Sequence, residues 1–184
     1  MRRQVRGALF ADYVRMIRVQ KDVDWRKHLR DEDLGHLVRR VDPDAWYPME
    51  SFERMGNGIL AEIAGGDVQA ARNWGRFSVD QLHAQTPSLV APGDPLETLM
   101  RFRVLRTTFF DFDALGVPSV SSSHATIHVN YHMGAIAEEA AAFQTMGFFE
   151  RLLQVAGATS VEARFTKKRW AGDDATVIEL TWEG

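Results

Sequence analysis

Residues 124–133 constrain the fold more than any other stretch, because polar and apolar residues alternate there without a break. His124, Thr126, His128, Asn130 and His132 share one face, and Ala125, Ile127, Val129, Tyr131 and Met133 the other. That is the pattern of a half-buried strand. As a helix, the same spacing would stack three imidazoles on one stripe, as metal-binding helices do. The β-branched Thr126, Ile127 and Val129 and the strict alternation favour strand. Along a strand, residues four apart stand about 13 Å from each other, too far for neighbouring imidazoles to share one metal ion held at about 2 Å. The stretch predicts one polar row of a sheet rather than a metal site.

The chain is long enough, at 184 residues, to bury a core without staples, and a single domain over 1–184 is expected. It contains no cysteine, which removes disulfides, thiolate nucleophiles and cysteine-held zinc or iron–sulfur clusters. No apolar run is long enough to span a bilayer, and the N-terminus lacks the apolar segment of a signal peptide, so a cytoplasmic protein is expected. The net charge of −3 hides an asymmetry: residues 1–30 carry nine basic and three acidic groups, a local +6 against −9 for the rest. A solvated helix face pairing with the acidic remainder accounts for this segment better than nucleic acid does.

Helical spacing dominates the first half. A broad apolar stripe covers Leu9, Phe10, Tyr13, Val14, Met16 and Ile17, and a second helix is expected through Trp25, Leu29, Leu34, Leu37 and Val38. After Tyr47-Pro48 an amphipathic helix carries Met49, Phe52, Met55, Ile59, Leu60 and Ile63 and ends at Gly65-Gly66. The next holds Val68, Ala71, Trp74 and Leu82, with Gly75 inside it. Asp94-Pro95-Leu96-Glu97 marks a short helix start. From Arg101 to Phe112 the run is rich in β-formers and predicts a strand paired with the histidine strand across a loop from Asp113 to Ser119. Residues 136–156 read as a helix bent at Gly147, with Gly157 as its cap, and a hairpin closes the chain: Val161, Ala163 and Phe165, then Thr176, Ile178, Leu180 and Trp182. The resulting expectation is an α+β fold, a helical N-terminal half packed on a four-stranded antiparallel sheet with β–β–α–β–β order in the C-terminal half. Arg164, Lys168, Glu179 and Glu183 would accompany the histidines on the polar face.

The Tyr47-Pro48 helix entry, the Trp74-Gly75-Arg76 segment and the closing β–α–β–β unit with Gly157, Gly172 and Thr181-Trp182 make the layout resemble an uncharacterised family expanded in myxobacteria. That family is similar to a ligand-binding superfamily of haem nitric-oxide sensors, 4-vinyl-reductase-type domains and vesicle-tethering subunits. The resemblance, which covers residues 5–184, implies a pocket for an apolar ligand, haem or acyl chain between helices and sheet. Val79-Asp80-Gln81-Leu82-His83 is similar to the segment presenting the proximal histidine in the haem sensors, which would make His83 an axial haem ligand. The Tyr-x-Ser-x-Arg segment that clamps the haem propionates there has no counterpart in this chain.

No nucleotide-binding loop or nucleophile elbow is present; Gly56-Asn57-Gly58 lies inside an expected helix, where helix packing or a kink explains it. Asp111 with His124 or His128 offers acid–base groups across the expected hairpin. In that strand Arg106 shares a face with Phe102, Val104 and Phe110, where a charge needs a partner or a ligand. Tyr47, Phe52, Trp74, Phe77, Phe102, Arg106 and Tyr131 are the expected pocket residues. Three readings follow: a module that binds or senses a small apolar or amphipathic ligand, with no cofactor beyond the haem suggested by His83; a small enzyme acting on a hydrophobic metabolite; and an interaction subunit, a second copy of the chain among its partners.

Overall fold

Strand β1 (Gln4–Arg6) runs straight into α1 (Gly7–Val19), and a Cβ on Gly7 at that junction would lie 1.9 Å from the Asp42 carbonyl oxygen. Only glycine fits so close an approach. The computed structural model describes residues 2–184. They group into two compact units, one holding the chain up to Asp67 together with Thr107–Phe112, the other Val68–Arg106 and Asp113–Gly184.

In the first unit β1 pairs antiparallel with β2 (Trp46–Pro48), and Phe110 bridges to Val5 on the other side of β1. Neither short strand was visible in the helical periodicity of this half. The helix expected from Trp25 to Val38 is instead a 3₁₀ turn, Trp25–Lys27, followed by α2 (Asp31–Val38). Asp24 accepts from the Arg26 amide at 3.3 Å, which caps the turn and breaks the longer run. Helix α3 (Met49–Glu62) buries Met49, Met55, Ile59 and Leu60. Gly58 lies against Trp25 and His28, where a Cβ would meet them at 3.2 and 3.1 Å. Of packing and a kink, the two explanations expected for these glycines, close packing is the one observed at Gly58.

The second unit is built on the crossing of α4 (Val68–Gln85) and α6 (Ala135–Val155). Gly75 and Gly147 set that crossing. A Cβ on Gly75 would lie 1.8 Å from the Gln144 carbonyl oxygen, and one on Gly147 would lie 1.9 Å from that of Arg72. Gly147, expected to bend α6, is therefore the point where the two backbones touch within an uninterrupted helix.

Helix α5 (Pro95–Leu105) starts as expected, with Asp94 accepting from the Glu97 amide at 2.9 Å. It then runs through the segment expected to be a strand. The Glu97–Arg101 pair at 2.9 Å and the burial of Phe102 against Phe149 and Phe148, centroids 4.9 and 5.2 Å apart, carry the helix past Arg101. Tertiary packing outweighed the β-formers, and a 3₁₀ turn follows at Arg106–Thr108.

The first strand of the sheet is instead β3 (Leu115–Val120), where a loop was expected. Pro118 is tolerated because β3 is an edge strand with a register break between Gly116 and Ser119. With β4 (His124–Val129), β5 (Thr159–Lys167) and β6 (Thr176–Glu183) it forms a four-stranded antiparallel sheet in the order β3-β4-β6-β5. The α+β architecture and the closing hairpin follow the sequence expectation. Ala125, Ile127, Val129, Ile178, Leu180 and Trp182 are buried on one face. Phe165 on β5 meets Phe143 of α6 edge-on at 5.1 Å.

The histidine strand ends at Val129, earlier than the alternation suggested. Glu138, buried in the first turn of α6, accepts from the amides of Tyr131 at 3.2 Å and Met133 at 3.0 Å. That capping pulls the chain out of the sheet, and His132 takes a left-handed conformation with φ 56°.

Candidate functional site

The expected pocket residues fall into separate clusters. In the first unit Tyr47 stacks on Phe10 with ring centroids 4.4 Å apart, and its hydroxyl accepts from the Asp42 amide at 3.0 Å. Phe52 stacks on Tyr13 at 4.2 Å. His36 stands edge-on to Phe10 and Tyr47, and burial, aided by Arg39, lowers its pKa against the opposing pull of Asp33 and Glu32. A neutral imidazole suits this aromatic setting. Burial also pushes the Tyr13 hydroxyl pKa up, and Asp12 adds to it.

Beside these rings lies a polar clamp that the sequence reading missed. Asp33, fully buried at the start of α2, receives Arg54 of α3 through both Nε (2.6 Å) and Nη2 (2.8 Å), and also the Arg30 amide at 2.9 Å. Burial pushes the Asp33 carboxyl up, but the hydrogen bonds from Arg54, Ser51 and Arg30 outweigh it and hold its pKa below the usual range.

The second unit repeats the device. Glu150 of α6 is buried and receives Arg72, one turn from Arg76, through Nε at 3.1 Å and through Nη2; Arg76 adds Nε and Nη2 at 3.2 and 2.7 Å. The remaining expected pocket residues are scattered through this unit. Trp74 is half-buried, Phe77 is 62% exposed, Phe102 lies in the core, and the hydroxyl of buried Tyr131 pairs with Thr145 at 2.7 Å.

Arg106, at the C-cap of α5, breaks the pattern. Its guanidinium makes one hydrogen bond, from Nη1 to Asp113 Oδ1 at 3.1 Å, and the Asp113 side chain is 86% exposed. The Arg106 Nε is shut away from solvent with nothing accepting its proton. An unsatisfied buried donor on a charged group is costly.

On the polar face of the sheet, His124 Nε2 bonds Glu179 Oε2, and Thr126 Oγ1 donates to Glu179 Oε1 at 3.3 Å. Thr126, Glu179 and Arg164 lie directly across from one another on three strands. His128 stands exposed further along. The acid–base pair envisaged between Asp111 and a strand histidine is not the one formed. Asp111 Oδ1 accepts from the Gln4 amide at 2.7 Å in the first unit, while His124 takes Glu179. With Arg101–Phe112 no longer a strand beside β4, Asp111 loses the register that would have set it opposite the histidines. A carboxylate-oriented imidazole can serve as a general base. Among the described residues no cluster of three or more His or acidic side chains can hold a metal ion.

In its secondary structure and topology, with helices and a four-stranded antiparallel sheet, the chain is similar in fold to solved H-NOX domains. An Fe(II) H-NOX protein from S. oneidensis, a triple mutant, superposes with TM-score 0.67 at 10% identity, covering 97% of this chain and 96% of its own. An H-NOX mutant from T. tengcongensis gives 0.62 at 12% identity, with 97% and 98% covered. An oxygen complex of an H-NOX domain related to soluble guanylate cyclases gives 0.64 at 12% identity, with 97% and 95% covered. No family model and no curated protein matches the sequence.

His83 is the one residue for which the resemblance suggests haem. A histidine bound to iron through one ring nitrogen donates the other N–H to an acceptor that fixes its tautomer and orientation. His83 lies in the last turn of α4, and its Nδ1 is buried with no hydrogen-bond partner. The propionate clamp has no counterpart in the sequence, and the buried Nδ1 of His83 is a ring nitrogen whose acceptor or ligand is not supplied by the described residues.

Proposed function

We propose that the chain is a small-molecule-binding sensor module that uses the H-NOX fold to hold an apolar or amphipathic organic ligand in place of haem. The end-to-end fold match carries this reading, since the matched structures include an oxygen-binding domain and Fe(II) proteins. The absence from the sequence of a segment that would clamp haem propionates supports an organic ligand over iron porphyrin. The test is a hemin titration of wild-type protein and His83→Ala, read at the Soret band. The expected result is no saturable band in either. A one-to-one band in the wild type that disappears in His83→Ala would establish the haem reading.

A second reading, a small enzyme acting on a hydrophobic metabolite, is favoured by the His124–Glu179–Thr126 chain of hydrogen bonds. Its groups would be His124 as base and Glu179 as the carboxylate that orients it. Turnover of p-nitrophenyl acyl esters that is lost in Glu179→Gln would support it, and turnover unchanged in that variant would end it.

A further inference from the structure

Three arginines in this protein close the side-on edge of the guanidinium, formed by Nε and Nη2, on a buried carboxylate: Arg54 on Asp33, and Arg72 and Arg76 on Glu150. That edge presents two parallel N–H groups at the spacing of a carboxylate or phosphate oxygen pair. In Arg106 the other terminal nitrogen, Nη1, holds Asp113, and among the described residues no acceptor pairs with the side-on edge. The Nε half of that edge is buried, with no acceptor.

Phe102 lies one helical turn before Arg106, on the same face of α5, packed into the rings of Phe148 and Phe149. A charged fork thus stands one turn from an aromatic cluster. We infer that Arg106 is the anchor for the acidic head of the bound molecule, which is therefore an amphipathic acid: an apolar body ending in a carboxylate or phosphate. Asp113, largely in solvent, holds Nη1 and partly neutralises the guanidinium, which weakens its pull on a second anion. This rests on the small-molecule-binding reading above and specifies its ligand class.

The experiment compares dodecanoate, dodecyl phosphate and dodecanol by isothermal titration calorimetry on the full chain, below their micellar concentrations. Wild-type, Arg106→Gln, Arg106→Lys and Asp113→Asn proteins are used, with circular dichroism as the check on folding. Both acids are expected to bind about tenfold or more tighter than the alcohol, the gain of a charge-assisted bidentate pair. Arg106→Gln should erase that preference while leaving dodecanol binding unchanged. Arg106→Lys should keep the charge but lose most of the preference, because a lysine has no fork. Asp113→Asn should tighten the acids alone. Equal binding of acids and alcohol in every variant would overturn the Arg106 anchor and leave an apolar binding module standing. No binding of any of the three would overturn both. A preference for one acid over the other identifies the head as carboxylate or phosphate.

Discussion

Arg72 and Arg106 are both half-buried arginines of the second unit, and they differ in what faces the guanidinium. Arg72 meets Glu150, a carboxylate with almost no solvent exposure whose Oε2 it shares with a second arginine, Arg76. Arg106 meets Asp113, which is mostly in water, and keeps a buried nitrogen with no acceptor. The first arrangement is finished by the chain's own residues and serves the scaffold, next to the Gly75–Gly147 crossing. The second is unfinished, and a buried donor without an acceptor is where a ligand can add what the chain lacks. Buried polar groups in a settled core are satisfied, so the exceptions mark where function is to be sought.

The comparison is broken most severely at Glu150. Glu150→Ala leaves two part-exposed arginines without their buried carboxylate and should cost about 3 kcal/mol, the low end for breaking a buried pair. For a chain of this size that lowers Tm by roughly 10 °C in a thermal melt. A loss under about 1 kcal/mol would mean the clamp is no more structural than a surface pair. Asp33→Asn tests the equivalent clamp in the first unit, with an expected loss of about 1.5–3 kcal/mol at neutral pH.

That second clamp also has a pH signature. The Asp33 pKa is depressed in the folded state, so its contribution is fully present above the unfolded value near 4 and is lost as pH falls toward the folded value. Denaturant unfolding of the wild type should therefore weaken more steeply below about pH 4 than unfolding of Asp33→Asn, and parallel curves would contradict the assignment.

Gly147→Ala forces a methyl group against the Arg72 carbonyl and should cost about 1–3 kcal/mol, measured by the same melts. Arg106→Gln is the small end of the series. Its pair with Asp113 is worth about 0–1 kcal/mol, so stability should barely move while acid binding falls. A stability loss matching that of Glu150→Ala would make Arg106 scaffold after all.

Much of this architecture could be read from residue pattern alone. The histidine strand, the β5–β6 hairpin, the Asp94 cap and the Gly157 stop each rest on a local rule with one physical solution, and the likeness to the haem-sensor fold was visible from the layout. What failed was the run from Arg101, where local β-propensity met a helix already started at Asp94 and held by Phe102 packing. Arg106 was singled out for an awkward charge, on a strand that does not exist. In the structure it stands out for a different reason, a buried Nε without an acceptor.

The buried acids Asp33, Glu138 and Glu150 were illegible because each is explained by a partner brought close only by the fold: Arg54, the Tyr131 and Met133 amides, and Arg72 with Arg76. The spacing of Arg72 and Arg76 by one turn was the one available signal, and it identified a face without identifying what lay opposite.

Native mass spectrometry of freshly purified protein from haem-supplemented cells tests the central claim most directly. The account predicts a one-to-one adduct of an organic acid, absent from Arg106→Gln protein prepared in parallel, with no haem mass. A stoichiometric haem adduct, lost in His83→Ala and indifferent to Arg106, would contradict it.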